Sequence, residues 1–252
     1  NDDGSARVGW FEEGSEKYYF GEGGKMVTGE QKIAGKYYHF KSDGQMATGW
    51  VKKEDGHYYY DLKTGVAAEG KVEIDGKIYF FSEKGKLQHG WIELNGAYYF
   101  YKEDGTFYSG RAKIGEYEYF FDTEGKMLTG WQGEGKEKRY FDEETGRMAV
   151  GWKKINGNWY HLQADGRMTT GWLKDGSNWY YLKSSGEMQT GWLKDKGIWY
   201  YLESSGAMKT SQWFQVSGKH YYVNASGELA VNTTIDGFQV DGDGVRVEKP
   251  VS

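Results

Sequence analysis

Apolar and polar positions alternate with period two over short stretches of this chain, and glycine interrupts them several times in every stretch of about twenty residues. That pattern predicts strands, and the 3.6-residue spacing of an amphipathic helix is absent. A typical stretch begins with a short strand opened by Gly-Trp, passes a tight turn, and continues into an aromatic strand such as Trp179-Tyr180-Tyr181-Leu182. A second glycine (Gly44, Gly125, Gly166, Gly186, Gly206) then ends a loop just before a methionine position. Asp55-Gly56, Asp75-Gly76, Asn95-Gly96, Asn156-Gly157 and Asp175-Gly176 are dipeptides that two-residue hairpin turns favour, because both turn residues take positive φ.

The unit repeats. Gly171 to Thr190 and Gly191 to Thr210 align without a gap. Unit starts fall at Gly9, Gly29, Gly49, Gly70, Gly90, Gly110, Gly130, Gly151, Gly171 and Gly191, with degenerate units from Ser211 and Asn232. A single hairpin is marginal in water, so consecutive hairpins must stack. The expected fold is all-β, a solenoid of about twelve stacked β-hairpin repeats of 20–21 residues. Residues 1–8 read as the remnant of a longer chain, 9–231 as repeats, and 232–252 as a degenerate terminal hairpin with a tail.

Composition changes what the core is made of. Of 252 residues only 38% are hydrophobic, but 18% are aromatic and 39 are glycine, so rings rather than aliphatic chains must supply the buried area. The net charge of −5, with Lys and Arg scattered among acids, offers no basic stripe for nucleic acid or anionic lipid. Without cysteine there is neither a disulfide framework nor a thiolate metal site. No stretch approaches 18 apolar residues, so no membrane insertion is expected.

Strand parity identifies candidate chemistry. A turn at Asn156-Gly157 puts Trp152, Lys154, Trp159 and His161 on one face of the hairpin and Tyr160 on the other. The same arithmetic pairs Trp172 with Trp179 and Trp192 with Trp199. Stacking brings the next unit's aromatics to each pair, and Met168, Met188 and Met208 can close the floors. Three rings and a thioether suit a cation whose charge is spread over methyl groups, which ring quadrupoles attract and which donates no strong hydrogen bond. Tyr160, Tyr180 and Tyr200, with Leu162, Leu182 and Leu202, read as packing residues.

The units follow GWxKxxGxWYYLxxxGxMxTG from Gly9 to about Glu248, and in this they resemble the choline-binding repeats of Gram-positive surface proteins, which overlap with glucan-binding wall repeats. The resemblance implies a left-handed β-solenoid that holds the phosphocholine of teichoic and lipoteichoic acids between consecutive hairpins. The protein would then be secreted and sit in the bacterial cell wall. Carried over by position, Trp152, Trp159, Met168 and incoming Trp179 form one site, and Trp172, Trp179, Met188 and Trp199 the next. A third uses Trp192, Trp199 and Met208, with His220 arriving from the following unit. Upstream, the opening tryptophan alternates with Glu30, Lys71 and Arg111, and Trp91 with Tyr98 is the best candidate, with Phe107 in place of Met and Glu118 as counter-charge. The charged units are either spacers or a surface for another partner.

Choline or phosphocholine is expected as a ligand, with no cofactor, metal or catalytic residue. The Asp241-Gly-Asp-Gly stretch lacks the spacing of a calcium loop, and the five histidines lie in separate repeats. Family analogy places any cell-wall hydrolase in a neighbouring domain of the same polypeptide. Two rival classes remain: a glucan-binding module, because sugars also stack on aromatics, and a hydrolase whose carboxylates lie within the repeats.

Overall fold

The computed structural model describes residues 6–247. Most of the 1–8 segment and the end of the tail lie outside the described residues. Two compact units divide the chain, Asn1–Leu128 and Thr129–Ser252. Each contains six antiparallel hairpins, and the one helical element among the described residues is a short 3-10 turn at Gly135–Glu137. The expected all-β architecture of twelve hairpin repeats is thus present.

Every hairpin forms its own sheet, the hairpin of Gly110–Ile114 and Tyr117–Phe121 being extended by the short strand Met127–Leu128, and two features fix the register. In the hairpin of strands Gly151–Ile155 and Asn158–Leu162, Trp152 faces His161 and Lys154 faces Trp159, as parity required. Asn156 and Gly157 form the turn with φ of 48° and 87°, and Asp75-Gly76 and Asn95-Gly96 behave alike. The turns expected at Asp55-Gly56 and Asp175-Gly176 are shifted by one residue. Lys53 pairs with Gly56 and Asp175 with Asn178, so the turn residues are Glu54-Asp55 and Gly176-Ser177. The register follows the aromatic strand: opening glycines pair with the buried strand ends Tyr60 and Leu182, and the turn takes whatever two residues remain. Burial of a large side chain outweighs a turn preference.

Those strand ends form the core. Phe40, Tyr60, Phe81, Tyr101 and Phe121 in the first unit, and Phe141, Leu162, Leu182, Leu202 and Val223 in the second, are all at most 1% exposed. Each bridges a residue six or seven positions on, as Leu182 does Met188. The loop glycine of the next repeat then closes on that residue's counterpart from the repeat before. A Cβ on Gly186 would lie 2.2 Å from Met168 Sδ, and one on Gly206 2.2 Å from Met188 Sδ.

This packing separates two glycines with similar backbones. Gly186 has φ 92° and faces Met168, whereas Gly171 has φ 79° and open space beyond it. Denaturant unfolding should therefore show Gly186→Ala destabilising the protein by about 1–3 kcal/mol more than Gly171→Ala, the difference being the overpacking contribution without the shared backbone strain. Equal losses would refute the contact.

Candidate functional site

The paired tryptophans do not pack shut. Trp152, Trp159, Tyr180, Met188 and Ser205 line a cavity of about 200 Å³. Trp152 meets Tyr180 edge-to-face at 4.9 Å, and Trp159 remains 43% exposed at the mouth. A second cavity of about 320 Å³ is lined by Trp192, Trp199, Tyr221, Leu229 and Val231, together with Gly242 and Asp243. Between the two, Trp172 lies 6.4 Å from Trp179 and 4.8 Å from Tyr200, both edge-to-face, which repeats the wall geometry.

The tryptophan pairs are therefore where parity put them, but the other walls come from different residues than expected. In the Trp152 cavity the third ring is Tyr180 instead of Trp179, and the methionine is Met188 instead of Met168. Hairpins stack with unlike faces together, so each site receives the aromatic that lies on the opposite face of the next hairpin. The methionine follows from the backbone. Met188 N–H donates to the Trp159 carbonyl at 2.8 Å, and Met208 to that of Trp179 at the same distance, so the floor belongs to the following repeat. Met168 instead bonds the Lys138 carbonyl and is buried with Tyr140, Ile155 and Leu162. For the third site, Leu229 bonds the Trp199 carbonyl, and the incoming ring is Tyr221, not His220. Tyr180, expected to be packing only, lines a cavity, whereas Leu162, Leu182 and Leu202 are core.

An unexpected contact orients the tryptophans. The Trp152 indole N–H donates to Asp175 at 2.9 Å, that of Trp172 to Asp195 at 3.0 Å, and that of Trp213 to Asp236 at 3.0 Å. Asp175 and Asp195 are the last strand residues before the turn of the following hairpin and Asp236 lies in the turn itself, where the sequence offers an acid but no pattern that would single it out.

Family models for the choline-binding repeat match residues 27–71, 108–151, 149–188, 174–213 and 207–245, and one for a putative cell wall binding repeat matches 8–26. The chain belongs to the choline-binding repeat family. Among solved structures it is similar to CbpJ of Streptococcus pneumoniae TIGR4, with 33% identity, a TM-score of 0.69, and coverage of 94% of this chain and 99% of that one. Choline binding protein F of Streptococcus pneumoniae gives 32% identity, a TM-score of 0.67, and coverage of 95% and 98%. The autolysin LytC of the same organism shares the fold at 21% identity and a TM-score of 0.59, across 88% of this chain and 52% of that one. No curated protein sequence matches the chain.

In the first unit of this choline-binding repeat chain, Trp91 meets Tyr119 edge-to-face at 4.9 Å, while Tyr98 is 45% exposed. Met127, paired with Phe121 and packed against the cluster of Ala112, Tyr119 and Phe121, stands where Met188 stands in the downstream cage. Neither expected companion joins this set. Phe107 packs on Tyr101 and under Gly125, and Glu118 pairs with Arg111 at 3.1 Å.

His161 takes the place that Tyr181 and Tyr201 hold downstream, edge-to-face with Trp152 at 5.2 Å, with Nδ1 2.9 Å from Thr169 Oγ1. Burial pushes its pKa down, partly opposed by the Asp175 carboxylate, and burial does the same to His39. A histidine with a lowered folded pKa is neutral in the native state, so its stability contribution is complete above the unfolded value of 6.5 and is lost as pH falls through that value toward the folded one. The thermal midpoint should accordingly drop between about pH 7 and pH 5, and His161→Tyr should flatten part of that slope in a pH series of melts.

Proposed function

We propose that this chain is a non-catalytic wall-attachment module that binds the choline headgroups of teichoic and lipoteichoic acids in cages shared by consecutive hairpins. The carrying observation is the open space of about 200 Å³ between Trp152, Trp159, Tyr180 and Met188. It falls below the roughly 300–1,000 Å³ of sites for drug-sized ligands and suits a small headgroup. Three ring faces attract a trimethylammonium group, and the thioether floor offers a polarisable surface without a strong donor. Glucan recognition is less well supported. A sugar needs several hydrogen-bonding side chains beside the stacked ring, and apart from Ser205 the Trp152 cavity is lined by rings and a thioether.

At roughly 0.5–2 kcal/mol per ring, one cage gives on the order of 2–5 kcal/mol, close to millimolar affinity. Attachment therefore rests on several cages engaging one polymer, where later contacts become intramolecular and avidity rises by roughly 10²–10⁴. The cages at Trp152, Trp172, Trp192 and Trp91 each combine three rings with an apolar floor.

Choline should elute the chain from a diethylaminoethyl support at concentrations where sodium chloride of equal ionic strength does not. Retention on dextran with no response to choline would favour the glucan reading. In calorimetry, Trp172→Ala should remove about one site. Met188→Ala should weaken the Trp152 cage several-fold, while Met168→Ala should lower stability by about 2–5 kcal/mol and leave that cage's affinity in place. The reverse assignment of the two methionines would overturn the cage described above.

A further inference from the structure

The hairpins whose cages are incomplete are not simply empty versions of the others. At the seventh hairpin Trp131 meets Tyr160 edge-to-face at 5.1 Å, and Met168 supplies the floor. The position held downstream by Trp159, Trp179 and Trp199 is Lys138. Its ammonium lies 4.8 Å from the Trp131 ring centroid, and the Met168 amide bonds its carbonyl as Met188 bonds that of Trp159. The backbone of this cage is intact, and a cation belonging to the chain sits over its principal wall.

The same substitution recurs at other walls. Lys71, at an opening-tryptophan position, places Nζ 5.4 Å from the Tyr99 ring and 5.8 Å from Phe107. Arg246, at a methionine position, lies 4.6 Å over Phe238, which itself meets Trp213. So an opening tryptophan, a tryptophan at the Trp159 position and a methionine are each replaced by a cation that turns onto the rings that remain. The pattern is not universal, since Lys17 binds Glu12 instead. Lys194 also approaches Trp199, at 5.4 Å, from the opposite strand of its own hairpin, yet the cavity beside Trp199 remains open.

We propose that Lys138 is an internal ligand that occupies the Trp131–Tyr160–Met168 cage and closes it to external quaternary amines, with Lys71 and Arg246 doing likewise, so that the chain's own cations set how many choline sites are open. The physical basis is effective concentration. A tethered ammonium over the ring competes with a free ligand of millimolar affinity without losing translational freedom on binding. Because Lys138 also stands where a wall is needed, one substitution by tryptophan both removes the occupant and rebuilds the wall.

The inference rests on the proposed function, and two measurements on the full chain separate their failures. In NMR spectra without ligand, the Lys138 side-chain methylene protons should be shifted upfield from those of other lysines, and Trp131→Leu should abolish the shift. Unshifted Lys138 protons overturn the internal ligand, whatever the chain binds. In calorimetry with choline, Lys138→Trp should bind one more choline per chain than wild type, and adding Trp131→Ala should cancel the gain. An unchanged number of sites in a Lys138→Trp protein with wild-type near-ultraviolet dichroism overturns the proposal. If the wild type binds no choline while the upfield shift is present, the functional reading fails, and the closing of a choline site falls with it. Loss of folding in Lys138→Trp leaves the decision to the ring-current measurement.

Discussion

The cages depend on one hydrogen bond, from the amide at a methionine position to the carbonyl of the first aromatic of the second strand in the preceding hairpin, as in Met188 to Trp159, Met208 to Trp179 and Leu229 to Trp199. Each hairpin forms its own sheet, extended in one case by the short strand Met127–Leu128, so no continuous ladder carries register from one repeat to the next. This bond carries it instead. It fixes the height of the incoming loop against the tryptophan pair, and the strand-end residue and loop glycine hold that height by close packing. An amide hydrogen bond fixes one donor against one acceptor at a narrow range of distance, whereas apolar contact alone would permit sliding.

Most of the fold was legible in the chain because glycine and aromatic spacing recur every 20 or 21 residues, and a two-residue alternation can only be a strand. Turn positions were legible where the dipeptide and the aromatic strand agreed, as at Asn156-Gly157, and misplaced by one where they disagreed, as at Asp175-Gly176. The Trp152, Trp172 and Trp192 pairs followed from parity within one hairpin. What parity cannot supply is which face of the next hairpin meets them. The expectation matched like faces and chose Trp179 and His220, whereas Tyr180 and Tyr221 occupy those places. That Tyr160 and its equivalents lie opposite the tryptophans was the signal that could have found them.

The Asp175 and Asp195 contacts show a different limit. An indole N–H that reached solvent would lack this tie to the next hairpin, and the ring would be held by packing alone. Bonding that donor to the following hairpin fixes the ring plane and leaves the ring faces as the available surface. The aspartates sit 23 residues from the tryptophans they hold, a separation that has meaning only once the stacking offset is known.

Because walls and floor come from neighbouring repeats, no repeat owns a binding site. Trp152 and Trp159 come from one hairpin, Tyr180 from the next and Met188 from the loop after it. Duplicating any one unit within an intact run therefore creates one complete new cage and leaves the flanking ones whole, since the copy supplies a ring and a floor to its predecessor's tryptophans and receives the same from its successor. Deleting a unit removes just one in the same way. Capacity can thus be lengthened or shortened in steps of a single repeat by unequal recombination, without any intermediate that exposes half a site.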